Sequence, residues 1–364
     1  MSVPFGERGG ALRGLMDAVC GRLPVFTIGG AVPSRMLPVF HFHDETAADL
    51  EPKFRYLAEN GYQTVTADQI AAHARGESAL TNRHVALCFD DAWASLWTIA
   101  TPLLETYELT AITYAIPART EEAAGCRPHA SAHEGPPLVT WPELHALHAS
   151  GIVDVQCHTE SHSMVFCSSH VTGFVTPEYR AVPMLNRPQL SPEPALRFLQ
   201  PEELGAPLYT ARSRMSDGKR VDVAAGVRHE CVDLVARDGG ADFFERLDWQ
   251  DRLGEVVARS NGHAVAHIES ESDQERAIED ELDRGRAVLN DRLRTTSVRH
   301  ICLPWGVSSA LTHAALKRTG YESAFANRME GAFAVMPGDD PYWLKRLPNK
   351  YIQHLPGRGR HTWI

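Results

Sequence analysis

The segment HVALCFDD (residues 84–91) decides how this chain is interpreted. A short apolar run that ends in polar residues is typical of a buried strand. Two adjacent carboxylates at a strand end cannot both point into a core, so one of Asp90 and Asp91 can coordinate a cation while its neighbour accepts a proton. A plainer interpretation stays open from this segment alone: the pair caps the following helix and faces its positive dipole.

Apolar runs of this kind alternate with amphipathic segments along much of the chain. The other runs, separated by stretches with helical spacing of apolar residues, occupy residues 37–43, 110–117, 152–158 and 298–306. Such alternation with short connections predicts parallel strands linked by helices. We therefore expect an α/β fold, a distorted (β/α) barrel with fewer than eight regular strands and an active site at their carboxyl ends.

The alternation is interrupted in the middle of the chain. Residues 164–272 mix proline, arginine and aspartate, and they predict a large insertion with partial helix that caps the catalytic face. After it, a long helix is expected to begin at Ser272, with Glu275 completing a capping box. The predicted divisions are an N-terminal extension (1–35), a first barrel part (36–163), the insertion (164–272), and a second barrel part with the C-terminal tail (273–364).

A second polar motif, CHTESH (residues 157–162), follows the run at 152–158. His158 and His162 are four residues apart, so both imidazoles can reach one ion from the same side of a turn. Two histidines and one carboxylate form a common open site for Zn²⁺ or Fe²⁺ that leaves positions for water and substrate. A histidine pair alone is more often an ordinary surface or core feature, but together with the aspartate pair it favours a metal site.

Three motifs together resemble the polysaccharide deacetylase family, carbohydrate esterase family 4. FDDAW, CHTESH and CLPWG occur in the family's order, and the resemblance covers residues 37–162 and 298–327. It implies the family's barrel as the fold and hydrolysis of a C–N bond, N-deacetylation, as the activity. It also implies one divalent metal ion held by Asp91, His158 and His162. Zinc is the expected metal, with cobalt, nickel, iron or manganese as alternatives.

The resemblance further implies roles around the substrate. Asp90 would be the catalytic base that activates the metal-bound water, and His354, in the segment IQH, would be the general acid that protonates the leaving amine. The backbone at Trp305 and Gly306 would line the site. His43 ends the first predicted strand, where similar deacetylases often carry a Tyr-His pair, so it is counted among the substrate-binding residues.

The chain departs from the family pattern at three places. Ala92 replaces the usual glycine after the aspartate pair, so the turn there must tolerate a Cβ. Trp305 replaces the usual tyrosine, which keeps an apolar wall. The arginine that commonly precedes the third motif, and orients the catalytic aspartate, is missing from residues 301–303. Arg346 is a candidate to replace it and is also counted among the substrate-binding residues.

Composition limits the partners and the compartment. The 364 residues carry 36 basic and 46 acidic side chains, and a formal net charge of −10 argues against a nucleic-acid partner. Seven cysteines without a C-x-x-C pair indicate a reducing compartment. No apolar stretch approaches the roughly 18 residues of a membrane span. We therefore expect a cytoplasmic protein without a membrane partner, and the oligomeric state, including a homo-oligomer, stays open.

These observations predict an amide hydrolase that acts on a small soluble substrate. The expected substrate is an N-acylated amino sugar or a glycosylated metabolite, as in natural product biosynthesis, and the expected leaving acyl group is acetyl. One alternative is another C–N hydrolase of the same barrel superfamily, acting on a cyclic amide, a ureide or an N-formyl group. The other is a homologue that binds metal or sugar without turnover.

Overall fold

A computed structural model describes residues 23–78, 80–129, 135–191, 196–259, 265–326 and 333–361 of the chain. The chain divides into two compact units: the first comprises Met1–Ser161, Glu279–Ser308 and His313–Ile364, and the second His162–Ile278 and Ser309–Thr312. The domain boundaries expected from the sequence stay predictions.

The described residues contain fourteen strands. In chain order they are β1 (Val39–Phe42), β2 (Gln63–Thr64), β3 (His84–Asp90), β4 (Ala111–Ala115), β5 (Val153–Cys157), β6 (Met164–Phe174), β7 (Pro188–Ser191), β8 (Arg197–Phe198), β9 (Pro207–Ser213), β10 (Val221–Val223), β11 (Val265–Ile268), β12 (His300–Cys302), β13 (Ser323–Phe325) and β14 (Leu347–Pro348).

The first unit is built around one eight-stranded sheet in the order β13-β12-β5-β4-β3-β1-β14, with β2 paired to β3. All of its strand pairs are parallel. The segment before β14 also reaches the opposite edge, because Leu344 N–H donates to the Ala324 carbonyl at 3.0 Å and Ala326 N–H donates to the Leu344 carbonyl at 3.1 Å. The predicted α/β fold, a distorted barrel, is confirmed.

Helices connect these strands. The α-helices of the described residues are Ala47–Glu59, Ala67–Ala74, Thr101–Thr106, Trp141–Ser150, Ala225–Arg237, Trp249–Arg259, Glu271–Leu293 and Ala310–Arg318, and a π-helical turn, Leu96–Ala100, precedes the third. Short 3₁₀ segments lie at Val25–Ile28, Pro117–Arg119, Pro177–Ala181, Met184–Asn186, Gly240–Glu245, Pro304–Gly306, Pro341–Trp343 and Asn349–His354. None of the helices in the described ranges has both the length and the apolar character to cross a membrane.

The long helix begins one residue before the predicted start at Ser272. Its first residue is Glu271, and the Ser270 hydroxyl oxygen accepts the backbone N–H of Asp273 at 3.1 Å. Ser270 therefore supplies the cap, and the expected capping box of Ser272 with Glu275 is wrong. Ser270 and Ser272 both fit the sequence pattern of a helix N-cap, so only the backbone geometry shows which of them caps the helix.

Strand β3 runs through the core of the first unit. Residues 85–89 are almost fully buried, and the ring of Phe89 stacks on Phe42 of β1 with centroids 4.7 Å apart. Barrel strands are covered on both faces, which explains why this strand is a continuous apolar run rather than an alternating one. The run ends at Asp90, and the chain then turns.

The second unit contains more strand than the sequence predicts. The expected partial helix is present as Ala225–Arg237 and Trp249–Arg259, but a four-stranded sheet in the order β8-β7-β6-β9 and an antiparallel pair, β10 with β11, accompany it. Register shifts interrupt the pairing of β6 with β9 and of β10 with β11. Such bulges break the two-residue alternation by which a strand is recognised. The capping role of this insertion stays a prediction.

The long loop after β4 is anchored by a buried ion pair. Arg127 donates from Nε and from Nη2, each at 2.7 Å, to the two carboxylate oxygens of Glu143, which is fully buried. Its Nη1 also donates to the Pro136 carbonyl at 2.6 Å. Further along this loop, Val139 N–H donates to the Ala92 carbonyl at 2.8 Å. The ion pair therefore holds the loop beside the turn that follows the aspartate pair.

Replacing Arg127 with methionine is expected to lower the free energy of unfolding by about 3–5 kcal/mol, because it leaves the Glu143 charge buried without a cation. Urea denaturation measures this loss. The matched control is Arg55→Met, which removes the exposed ion pair of Arg55 with Glu51 and should lower the free energy of unfolding far less, because solvent screens that pair. Similar losses in the two variants would show that the buried pair has no special structural role.

Candidate metal centre and active site

The ends of three strands bring the polar residues together. Strands β3, β5 and β12 end at Asp90, Cys157 and Cys302, and they lie in one parallel sheet with β4 between β3 and β5. Because the carboxyl ends of parallel strands share one edge, Asp91 and His158, the residues that follow β3 and β5, come close to each other. The His158 Nε2 atom lies 3.3 Å from the Asp91 Oδ1 atom.

The backbone around these residues is strained. Asp91 has φ 66° and Ala92 has φ 53°, a left-handed conformation that favours glycine. Each such residue costs on the order of 1–3 kcal/mol and persists only where its surroundings hold it. Ala92 therefore adopts a turn that glycine would make more easily, so the turn tolerates its Cβ.

The three predicted metal ligands lie together. One ligand atom from each of Asp91, His158 and His162 lies within 4.8 Å of the others, and all three side chains are buried. A tetrahedral zinc site has ligand bonds of about 2.0–2.2 Å and accepts this set of two imidazoles and one carboxylate. The donor set also suits iron, so the geometry fits a divalent transition metal without selecting one.

Hydrogen bonds from residues that are not themselves ligands orient His158 and Asp91. The Cys302 carbonyl lies 2.7 Å from Nδ1 of His158. A carbonyl can only accept, so Nδ1 carries the proton and Nε2, which faces Asp91, is left to bind a metal. The Trp93 indole Nε1–H donates to Asp91 Oδ2 at 3.0 Å, and the other oxygen, Oδ1, faces His158. Both contacts are of the kind that orients metal ligands.

Asp90 is held by Arg346 in a bidentate pair. Arg346 Nη1 and Nη2 donate to the two carboxylate oxygens at 2.6 and 2.7 Å. The guanidinium lies over the rings of Phe325 and Tyr114, at 5.2 and 5.8 Å from their centroids. Burial alone would raise the pKa of Asp90, but the charge and hydrogen bonds of Arg346 hold it well below its ordinary value. Asp90 is therefore ionised, as a base must be.

Arg346 thus takes the place of the arginine that is missing before the third motif. The Arg346 side chain is 12% exposed, and its two terminal guanidinium nitrogens both donate to Asp90. The structure therefore assigns it to positioning the carboxylate. A role of Arg346 in binding substrate stays a prediction.

His43 also lies near Asp90, and the ring of His41 lies 5.7 Å from that of His43. His43 Nε2 is 3.7 Å from Asp90 Oδ2, and the side chain is 52% exposed, so it faces both the carboxylate and solvent. Burial, together with the positive charge of Arg346, lowers the pKa of His41 to about 3. His41 is therefore neutral at ordinary pH, and His43 is the more exposed of the two.

The remaining predicted site residues lie in two short 3₁₀ segments. Trp305, with φ 55°, and Gly306 belong to Pro304–Gly306, and Gly306 N–H donates to the Leu303 carbonyl at 2.8 Å. His354 ends the segment Asn349–His354; its ring contacts those of Tyr351 and His361, and its carbonyl accepts a bond from Arg360. The roles assigned to Trp305, Gly306 and His354 stay predictions.

Among the described residues, two other clusters of possible ligand atoms each have an arginine guanidinium paired with their carboxylates. In the cluster of Asp90, His158 and Cys302, Arg346 holds the carboxylate and lies 3.0 Å from the Cys302 sulfur. In the cluster of Asp68, His300 and Glu322, Arg299 pairs with both carboxylates, at 2.9 and 3.2 Å. A guanidinium in either place repels a second cation, so the Asp91 set is the better metal site.

Three contacts at the site escaped the sequence analysis. They are the indole of Trp93 on Asp91, the carbonyl of Cys302 on His158, and a carboxylate, Glu281, on the loop that holds the histidines. Trp93 stands two residues after Asp91, so a donor beside a ligand was visible in the motif. The other two join residues far apart in the chain and have no local signal.

Part of this chain is similar in sequence to known proteins. Residues 77–187 match the polysaccharide deacetylase family. The chain is 29% identical over 137 residues to poly-β-1,6-N-acetyl-D-glucosamine N-deacetylase of Escherichia coli strain K12, and equally to that of strain O157:H7. The match spans 36% of this chain and 20% of each relative's length.

Among solved structures, the chain resembles the BpsB deacetylase domain from Bordetella bronchiseptica. The TM-score is 0.53 at 15% identity, over 86% of this chain and 96% of that domain, which shows a shared fold. The sequence match includes both polar motifs, and the fold places them at one edge of the barrel. Residues 77–187 therefore carry the sequence pattern of the polysaccharide deacetylase family, within a chain that shares its fold with a deacetylase domain.

Proposed function

We propose that this chain is a metal-dependent N-deacetylase that hydrolyses the acetamido group of an N-acetylated amino sugar. One observation carries the proposal: a buried, ionised carboxylate, Asp90, is clamped by Arg346 next to a set of metal ligands. A structural ion pair alone needs no neighbouring set of two histidines and a carboxylate. An open metal site beside a poised base is what hydrolysis of an unreactive amide requires.

The residues divide the chemistry between them. Asp91, His158 and His162 would hold a divalent ion, which would supply Lewis acidity and make water at the site more acidic. Asp90 accepts the proton of the attacking water on a carboxylate oxygen. Arg346 keeps that carboxylate ionised and aimed. The C–N bond then breaks, releasing acetate and a free amine that must gain a proton.

The proton for the amine is better supplied by His43 than by His354. His43 Nε2 lies 3.7 Å from the base and its side chain is half exposed, so it can reach both the carboxylate and a bound sugar. The ring contacts of His354 are with the C-terminal segment, at Tyr351 and His361. His43 is accordingly our candidate for the general acid, in place of its predicted role in substrate binding alone.

The names of the relatives favour a polysaccharide as the substrate. The curated relatives act on poly-β-1,6-N-acetyl-D-glucosamine, a polymer, and the matching family is one of polysaccharide deacetylases. These similarities support an N-acetylated polysaccharide over the small metabolite expected from the sequence. Because the match spans only 20% of each relative's length, the polymer itself is part of the proposal.

Acetate release tests the proposal. Purified protein loaded with Zn²⁺ is incubated with β-1,6-linked N-acetylglucosamine oligosaccharides and, in parallel, with the monosaccharide. We expect acetate from the oligosaccharides and a much lower rate with the monosaccharide. Faster release from the monosaccharide would favour the small-metabolite substrate, and formate or ammonia in place of acetate would favour the other C–N hydrolases. No product from any N-acyl sugar with metal bound would contradict the proposal.

Replacing Arg346 with methionine is expected to lower kcat by about 10²-fold or more, the lower part of the range for a positioned base. Losing the cation also raises the pKa of Asp90, so the acid limb of the pH–rate profile should move to higher pH. Arg346→Lys is the matched control, because lysine keeps the charge and loses the bidentate geometry. It should lower kcat and move the acid limb less. An acid limb that stays in place in Arg346→Met would show that Arg346 does not set the ionisation of Asp90.

A further inference from the structure

The loop that carries the two histidines is bonded to the long helix Glu271–Leu293. The Glu281 carboxylate accepts the Ser161 backbone N–H at 3.1 Å through Oε2 and the Ser161 hydroxyl through Oε1. The Glu281 backbone carbonyl accepts the Glu160 N–H at 3.1 Å. Glu281 and Ser161 are both buried, so these bonds are not shared with bulk solvent. One glutamate therefore fixes two consecutive residues between the metal-binding histidines.

Two more residues on the same face of the helix complete the contact. Arg284 pairs with the Glu160 carboxylate at 2.9 Å. A Cβ on Gly285 would lie 2.8 Å from the Glu160 backbone nitrogen, 2.9 Å from the Cys157 sulfur and 3.0 Å from the Thr159 carbonyl carbon. The helix approaches the loop so closely that only glycine fits there. Positions 281, 284 and 285 share one face because they are spaced by three and four residues.

The loop needs such support because its backbone is strained. Thr159 has φ 64° and His162 has φ 53°, both in the left-handed region that side chains other than glycine disfavour. Conformations of this kind persist only where neighbouring structure holds them. The spacing of His158 and His162 depends on this loop. The bonds from the helix hold its middle together with Ala118 N–H, which donates to the Glu160 carbonyl at 2.9 Å, and Arg119 Nε, which donates to the Ser161 carbonyl at 3.1 Å.

We propose that Glu281 is a positioning residue for the metal centre. Acting through Ser161, it sets the separation and direction of the two imidazoles, and Gly285 allows the helix to come close enough for it to do so. The inference deepens the proposed function and rests on one part of it, that this loop holds a metal. It does not depend on which amide is hydrolysed.

Cobalt binding tests the inference. Metal-free wild-type protein, Glu281→Gln, Glu281→Ala and Gly285→Ala are titrated with Co²⁺, and the visible absorption of the bound ion is recorded. We expect both Glu281 variants to bind Co²⁺ about 10–100-fold more weakly, as for other residues that orient metal ligands, with an altered spectrum. Gly285→Ala should act in the same direction without removing a charge. Asp280→Asn, which changes an exposed carboxylate on the same helix, is the matched control and should bind as the wild type does.

A second measurement distinguishes a local effect on the histidine loop from a general loss of stability. Amide hydrogen exchange of residues 158–162 in the metal-free proteins should be faster in Glu281→Gln than in the wild type, with the exchange of β3 and β4 unchanged. Wild-type Co²⁺ affinity in both Glu281 variants would overturn the inference, as would faster exchange spread over the whole barrel. Wild-type protein that binds Co²⁺ and releases no acetate would contradict the proposed function alone. Wild-type protein that binds no Co²⁺ would overturn both.

Discussion

Replacing Asp90 with asparagine is expected to abolish turnover while metal binding is retained. Asparagine has nearly the same shape but cannot accept a proton, so the loss should reach about 10²–10⁴-fold in kcat, the contribution of a positioned base. Asp91, His158 and His162 are untouched by the change. The Arg346 guanidinium loses its carboxylate partner, so some loss of thermal stability should accompany the loss of activity.

Acetate release and metal content of the same preparation check this prediction. The control is Asp280→Asn, an exposed carboxylate outside the site, which should keep both activity and metal. An Asp90→Asn protein that keeps its metal and turns over at the wild-type rate would show that Asp90 is not the base. A protein that loses its metal would instead place Asp90 among the ligands.

The second large effect is expected at the metal ligands. His158→Ala removes one of three ligands, and His162→Ala another, so each should weaken Zn²⁺ binding by more than the roughly 100-fold seen for residues that only orient ligands. Activity should fall with occupancy. Removing the metal from the wild type with a chelator should give the same loss, which added Zn²⁺ reverses in the wild type alone.

Calorimetric titration of the metal-free proteins measures this difference. His145→Ala is the matched control, because His145 is exposed on the helix Trp141–Ser150 and should leave zinc affinity unchanged. Zinc affinity in His158→Ala equal to that of the wild type would show that the ion binds elsewhere.

The sequence was sufficient to predict those site residues that are identified by their immediate neighbours in the chain. Asp90 and Asp91 end one apolar run, and His158 and His162 follow another, so the strand pattern alone predicts that they meet at one edge of a barrel. The barrel itself follows from the alternation of apolar runs with helices. These features depend on neighbouring residues, which is why they can be read without the fold.

The supporting contacts could not be predicted in this way. Arg346 lies 256 positions from Asp90, and Glu281 lies 120 positions from Ser161. The strand that follows Arg346, β14, has only two residues and is too short to leave a periodic pattern. The sequence analysis names Arg346 as a candidate, but only the closure of the barrel brings its guanidinium to Asp90.

The strands of the second unit escaped prediction for a related reason. Strand β6 is eleven residues long, but its register with β9 shifts twice, so buried and exposed positions do not alternate along it. A pattern that assumes regular pairing cannot detect a bulged strand. Local helices in the same region, such as Ala225–Arg237, have no such interruption, which is why partial helix could be predicted there.

The central claim is that Asp91, His158 and His162 hold a catalytic metal ion. Asp90 acts as the base beside it, and Arg346 positions Asp90. Anomalous diffraction from crystals of the wild-type protein grown with Zn²⁺, recorded above the zinc absorption edge, tests it most directly. The account predicts one strong peak about 2 Å from a carboxylate oxygen of Asp91 and from an imidazole nitrogen of each histidine. A zinc-loaded protein with no peak there, or with its peak at Asp68, His300 and Glu322, would contradict it.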